Sequence, residues 1–255
     1  MPIIRDDAVV LARLDYSETS QILVLLTREH GKVRAIAKGI KRGTKARFAV
    51  GIDLLEVGSA LLSSRQERGE SLALLTEWKQ TRAHSGLREK LPRMNAAQYV
   101  AEITARLTED WDPAPRLFDG LMTALEVLAG SDEPIGPTVN YQQLLLYEIG
   151  SAPRFDACVL CGRNDQLTHF SSFEGGMVCR HCEPHQVEKR QVSAATLALV
   201  RTGPDERIGP VPTAQPPVGA FSLLNYHLSH LMGREPVMAA RLVPKVLQRR
   251  IDPAR

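Results

Sequence analysis

Aromatic residues are scarce in this sequence, and long hydrophobic runs are absent. Phenylalanine, tryptophan and tyrosine together make up 5% of the 255 residues. No apolar run reaches the ~18 residues that are typical of a membrane-spanning helix. The first ten residues, MPIIRDDAVV, carry acidic residues where a signal peptide has its apolar core. We therefore expect a soluble, cytoplasmic protein that has no membrane partner.

The usual catalytic motifs are also missing. The sequence contains no phosphate-binding loop that ends in GK[ST], no G-x-S-x-G and no H-E-x-x-H. His227 and His230 lie close together in a predicted helix, but no third metal ligand accompanies them. We therefore expect a protein that is not an enzyme and has no small-molecule substrate.

Cysteine is rare, and its positions are informative. The chain has only four cysteines, in two C-x-x-C pairs with seventeen residues between the pairs: Cys158 and Cys161, then Cys179 and Cys182. This spacing is typical of a structural zinc site, because two such turns bring four thiolates around one ion. Two disulfides are the alternative, and His169, His181 and His185 are nearby competing ligands. A closed shell of four thiolates argues against a catalytic ion, so a zinc nuclease is the least favoured interpretation.

Acidic residues are absent from one stretch, residues 31–47, which we call the basic segment. Its cations are Lys32, Arg34, Lys38, Lys41, Arg42, Lys45 and Arg47. Like charges at this density repel one another, and a polyanion relieves that repulsion. We therefore predict that these seven residues bind DNA. A solvated surface without a ligand is the alternative.

The hydrophobic pattern changes period along the chain. Five short strands are predicted at 8–14, 21–27, 32–37, 52–57 and 72–76, which is typical of a small barrel such as an OB-fold. Helical spacing then follows at 95–107, 115–129, 138–149, 193–200, 221–231 and 237–246. Residues 203–219 are proline-rich and therefore excluded from regular elements. We predict an α+β protein with an N-terminal OB-fold β-barrel at 1–80, a helical domain at 81–255 and a four-cysteine zinc module inserted at 154–187.

Three stretches of this sequence resemble the RecO family of recombination mediators. They are LDYSETSQILVLLTREHGKVRAIAKGIKR near the N-terminus, QQLLLYEIGSAPRFDACVLCG at the first cysteine pair, and, more loosely, LLNYHLSHLMGREPVMAARLV near the C-terminus. The resemblance implies an OB-fold followed by a helical domain that carries the zinc module. By position, the family's basic residues fall on Arg34, Lys38, Lys41 and Arg42.

The resemblance also implies a function and partners. It implies binding of single- and double-stranded DNA, strand annealing, and work with RecR and single-stranded-DNA-binding protein (SSB) to load a recombinase, in a nucleoid-associated setting. Because the first 80 residues offer only Tyr16, Phe48 and Trp78 for stacking on bases, we expect the contacts to be mainly with phosphates. The competing hypothesis is a zinc-containing scaffold whose basic segment docks acidic segments of a partner protein. Arginines of the zinc module, Arg154, Arg163 and Arg180, are further candidates for DNA contact.

Overall fold

The computed structural model describes residues 3–39, 51–63, 72–201 and 216–243. The chain divides into two compact units, residues 1–129 and 130–255. The first unit contains the segment predicted as a barrel, 1–80, together with part of the segment predicted as helical. Among the residues described, no helix is both long enough and apolar enough to cross a membrane.

Five strands of the first unit close into a barrel. They are β1 (Ile3–Asp15), β2 (Gln21–Thr27), β3 (Gly31–Ala37), β4 (Val57–Ser63) and β5 (Ala73–Arg82). The strand order around the barrel is β1-β2-β3-β5-β4. β3 and β5 run parallel, with Ala35 opposite Ala73, and the other neighbours are antiparallel. This small five-stranded barrel is an OB-fold, so the predicted fold class is confirmed.

The barrel core forms because alternate residues of each strand are apolar and point inward. Leu23 and Leu25 of β2 are fully buried, and so are Val33 and Ala35 of β3. Burying such side chains is worth ~1.5–3 kcal/mol each. The alternate residues of β3 lie on the other face of the strand, and they include Lys32 and Arg34.

The prediction of a fourth strand at 52–57 is wrong. Strand β4 begins only at Val57, and the residues before it form turns. Leu55 has a φ of 65°, and the Asp53 carboxylate accepts a hydrogen bond from the Leu54 amide at 2.8 Å. Ile52 and Leu55 are nevertheless buried. Their hydrophobicity therefore reflects packing within the first unit rather than strand formation.

Three helices complete the first unit: α1 (Gly86–Glu89), α2 (Leu91–Leu107) and α3 (Pro115–Gly130). Helix α2 begins before the predicted residue 95, because proline in the first turn suits a helix start. The Arg93 guanidinium donates to the carbonyl of Ala129 at 2.7 Å and to that of Gly86 at 3.3 Å. This buried cation ties the start of α2 to the end of α3.

In the described part of the second unit, four α-helices combine with a small sheet. Its elements are α4 (Ile135–Glu148), β6 (Leu167–Ser171), β7 (Gly176–Cys179), β8 (Arg190–Gln191), α5 (Ala194–Val200), α6 (Val218–Leu231) and α7 (Ala239–Leu242). The strands form one antiparallel sheet in the order β7-β6-β8. Helices α4 and α6 pack against each other.

Side-chain caps explain where two of these helices begin. At α4, the Glu133 carboxylate accepts hydrogen bonds from the amides of Ile135 at 2.7 Å and Gly136 at 2.8 Å. At α5, the predicted cap Ser193 accepts from the Thr196 amide at 3.1 Å. The last predicted helix, 237–246, is helical over Ala239–Leu242. Residues 244–246 and residues 203–215 of the proline-rich segment lie outside the described residues. Helix α6 begins within the described end of that segment, at Val218.

Candidate functional site

The basic segment is only partly covered by the described residues. Lys32, Arg34 and Lys38 lie in or just after β3. The other four predicted DNA-binding residues, Lys41, Arg42, Lys45 and Arg47, lie outside the described residues. The geometry of the site can therefore be stated for the three cations of β3 and its end.

Lys32 is buried, and its ammonium group contacts oxygen atoms of the first unit. It donates to the carbonyl oxygens of Ala105, at 2.9 Å, and Thr108, and it lies 3.3 Å from a carboxylate oxygen of Asp110. These carbonyls belong to the end of α2, where a cation also complements the helix dipole. The two carbonyls accept hydrogen bonds and the Asp110 carboxylate balances the charge, so Lys32 anchors α2 on the barrel.

Arg34 and Lys38 differ from Lys32 because both are exposed. The Arg34 Nε atom lies 2.9 Å from a carboxylate oxygen of Asp110, and the side chain is 52% exposed. A guanidinium group has five donors, so this ion pair leaves donors for a phosphate while lowering the local positive potential. No sequence pattern indicated that Asp110 would pair with the basic segment, because that contact depends on how α2 packs on the barrel.

An apolar row crosses the outer face of the barrel beside these cations. Leu14, Ile22, Ile36 and Leu74 lie directly opposite one another across β1, β2, β3 and β5. Leu14 is 63% exposed, and the other three are partly exposed. In β3, Ile36 sits between Arg34 and Lys38 on the same face. The sequence analysis missed this row, although alternation along β2 and β3 carried the signal.

The four cysteines converge in the second unit. Their sulfur atoms all lie within 4.8 Å of one another, and all four are free thiols. The sulfurs of Cys161 and Cys179 are 3.7 Å apart. A tetrahedral ion with metal–sulfur bonds of ~2.3 Å places its ligands about 3.8 Å apart. The cysteines are therefore close enough, and correctly spaced, to hold one metal ion.

Tight turns in the chain produce this convergence. In the first pair, the Gly162 amide donates to the Cys158 carbonyl at 2.9 Å, and Gly162 has a φ of 76° that favours glycine. In the second pair, the Cys182 amide donates to the Cys179 carbonyl at 3.1 Å. Strand β7 ends at Cys179, so the small sheet fixes the second pair in place.

The electrostatics of the cluster also suit a cation. Burial opposes ionisation of the Cys158 thiol, but hydrogen bonds from the backbone of Cys179, Cys161 and Leu160 outweigh it and lower its pKa to about 6. The pKa of the Cys182 thiol is raised to about 12 by desolvation and by the neighbouring sulfurs. Four thiolates in this space repel one another, and a soft divalent ion removes that repulsion.

Three of the remaining candidate residues have structural partners: Arg154, Arg163 and His227. Arg154 pairs with Asp156, with Nε and the carboxylate oxygen 3.0 Å apart, and Arg163 pairs with Asp165 at 3.4 Å. His227 is buried, and its Nε2 donates to the Ser151 carbonyl at 3.1 Å. Its Nδ1 then accepts from the Ser172 hydroxyl at 2.8 Å. His227 therefore joins three segments of the second unit.

Comparison with known proteins gives one consistent result. Residues 1–84 match the family model described as Recombination protein O N terminal, and residues 88–238 match that described as Recombination protein O C terminal. The chain is 32% identical to the DNA repair protein RecO of Rhodopirellula baltica, over 94% of this chain and 98% of that protein. It is 34% identical to the Myxococcus xanthus protein of that name, over 90% and 92%. The Bacillus subtilis protein of that name is 33% identical, over 76% and 75%.

Proposed function

This chain belongs to the RecO family of DNA repair proteins, and from that premise we propose that it binds single- and double-stranded DNA through backbone phosphates and promotes strand annealing. The observation that carries the proposal is the pair of exposed cations, Arg34 and Lys38, on the outer face of an OB-fold. Strands β2 and β3 of this fold commonly form its oligonucleotide-binding face. The acid-free sequence of the basic segment extends the same charge beyond β3.

Phosphates are the proposed contact because the described part of the barrel offers few rings for stacking. Trp78 is only 4% exposed, so it packs in the barrel core. Tyr16 is 64% exposed, but one ring does not make a stacking platform along a strand. Contacts to phosphates carry little sequence information. A protein of this kind binds and anneals strands without recognising their base sequence.

Family membership supports the partners in this proposal. We expect the protein to act with RecR and with SSB, so that a recombinase is loaded on SSB-coated DNA. This is a mediator's role and requires no catalytic step by the chain itself. We place it in the cytoplasm with the nucleoid.

The proposed metal is one structural zinc ion held by Cys158, Cys161, Cys179 and Cys182. Zinc favours four thiolates in a tetrahedron, and such a closed shell stabilises the fold without activating water. The free thiols and their mutual distances support this assignment. Metal analysis of the purified protein checks it, with about one zinc per chain expected.

Charge reversal tests the proposed DNA site. We expect the double variant Arg34→Glu and Lys38→Glu to lose at least about tenfold in affinity for an oligonucleotide at low salt, because two attractive contacts become repulsive. Lys79→Glu is the matched control, since Lys79 is an exposed cation of β5 in the same barrel. Fluorescence anisotropy with a labelled strand measures both.

Two outcomes would oppose the proposal. Equal affinity of the double variant and the control would remove the barrel face as the DNA site. Preference of the wild-type protein for an acidic peptide over an oligonucleotide at physiological salt would favour docking of a partner protein instead.

A further inference from the structure

The second unit contains a cluster of aromatic rings and cations that the proposed function does not use. Phe173 lies in the turn between β6 and β7, and its side chain is 80% exposed. Its ring centroid is 5.8 Å from that of His230, which in turn is 4.5 Å from that of Tyr226. The Arg190 guanidinium lies over the other part of the cluster, 5.4 Å from the centre of the Tyr226 ring. We call these four residues the aromatic cluster.

Three members of the cluster, Arg190, Tyr226 and His230, line an open cavity of about 490 Å³. Phe173 does not line the cavity, but its ring contacts His230 at the cavity's edge. This volume is within the range of small-molecule sites in proteins. Its lining includes Arg190, Asn225, Tyr226, His230, Arg234 and Glu235. The cavity thus presents two guanidinium groups, a carboxylate and an amide, which together can both donate and accept hydrogen bonds.

Glu188 holds the cluster in a fixed geometry. Its carboxylate accepts hydrogen bonds from the Tyr226 hydroxyl, from the Ser171 hydroxyl at 2.8 Å and from the Phe173 amide at 3.1 Å. These bonds outweigh the effect of desolvation and lower the pKa of Glu188. The same carboxylate therefore orients both the turn that carries Phe173 and the Tyr226 ring, which is the preorganisation that a binding site needs.

We propose that this cavity binds a nucleotide of single-stranded nucleic acid, with the base stacked on Phe173 and a phosphate near Arg234. An exposed aromatic ring beside cations is the combination that binds unpaired bases. An acidic peptide fits less well, because it has no base to stack on the exposed Phe173 ring.

This site goes beyond the proposed function. The proposed function places DNA on the barrel and attributes its binding to phosphate contacts. The nucleotide site adds contacts to bases in the second unit. A protein with both sites distinguishes an unpaired strand from a duplex, because duplex bases are already stacked on one another.

The test compares two single strands of equal length on the full-length protein. One is oligo(dT), and the other has the same phosphates but no bases. We expect the wild-type protein to prefer the strand with bases by about tenfold, which is the contribution of one stacked base. Phe173→Leu should reduce this preference to about twofold or less, whereas Phe173→Tyr should retain it.

Two further variants locate the effect. Tyr147→Leu makes the same kind of change at another exposed aromatic residue of the second unit and should keep the preference. Arg234→Ala should lower the affinity for both strands, because it removes a phosphate contact. Thermal unfolding of each variant checks that the fold is intact.

The results separate this site from the barrel site. If the wild-type protein binds both strands equally, or if Phe173→Leu keeps the full preference, the nucleotide site is refuted while backbone binding stands. If Phe173→Leu weakens binding of an acidic peptide and not of either strand, the cavity binds a peptide and the proposal is also refuted. Loss of the preference in Phe173→Leu alone supports it.

Discussion

The barrel differs from the cysteine module, by which we mean the four cysteines and strands β6, β7 and β8. The two regions position their functional residues through different interactions. The barrel is closed, and its core residues, among them Leu23, Leu25 and Val33, are fully buried. The module contains only short strands of five, four and two residues and four thiols that face one another. The barrel therefore derives its stability from buried apolar surface. The module has less sheet to stabilise it, so the proposed metal ion should contribute a larger share of its stability.

The same two regions also differ in what they offer a nucleic acid. The barrel exposes Arg34 and Lys38 but buries Trp78. The second unit exposes Phe173 next to His230. With the proposed backbone site and base site on separate units, one chain would bind strands of any sequence and would prefer unpaired ones.

Removing the metal should give the largest difference between the two regions. We expect Cys179→Ser, or treatment with a chelator, to release the ion and unfold the cysteine module, because structural zinc supplies ~10–16 kcal/mol in small zinc domains. Hydrogen exchange should rise over residues 154–191 while the strands of the barrel remain protected. Loss of protection in both regions at once would show that they fold as one cooperative unit.

Single replacements of Lys32 and Lys38, two cations of the basic segment, should change the free energy of unfolding less than metal removal does. The two replacements should also differ from each other. Lys32→Met should lower the free energy of unfolding by about 2–3 kcal/mol, because it leaves the Ala105 and Thr108 carbonyl oxygens without their donor and removes one cation from Asp110. Lys38→Met, the matched control at an exposed position, should change stability by no more than about 0.5 kcal/mol. Urea unfolding measures both. Equal effects would contradict the anchoring role of Lys32.

Acid should weaken the second unit slightly through His227. Desolvation lowers the pKa of His227 below its usual value of 6.5, with His230 adding to this shift and the Ser151 carbonyl and Glu188 opposing it. The unfolded chain therefore takes up a proton more readily, and stability falls as the pH drops below about 6.5. We expect His227→Asn to be less stable than the wild-type protein at about pH 7.5. Between about pH 7.5 and 5.5, its free energy of unfolding should fall by less than that of the wild-type protein. An unchanged pH dependence would show that His227 contributes nothing to it.

Local patterns made part of this structure predictable. The C-x-x-C spacing predicted the metal site because each pair lies in one tight turn. Alternation predicted β2 and β3 because the residues that contact the core are neighbours in sequence. Ser193 was recognisable as a cap because its partner, Thr196, lies in the same turn.

Contacts between residues far apart in the chain determine the features that the sequence did not predict. Lys32 and Arg34 look alike in the sequence, yet one anchors α2 and the other is exposed, because α2 contacts only one of them closely. The aliphatic residues near Ile52 resembled a strand, since burial against a distant segment leaves the same pattern as a strand core. The aromatic cluster joins Phe173 to Tyr226 and His230, which are far apart in the chain, so no local motif indicates it.

The salt dependence of DNA binding tests the central claim most directly. Affinity of the wild-type protein for a single-stranded oligonucleotide is measured between about 50 and 200 mM salt, the range in which phosphate contacts weaken strongly. If about five phosphates are neutralised, the affinity should fall as roughly the third to fifth power of salt concentration. An affinity that does not change over this range would contradict binding through the phosphate backbone.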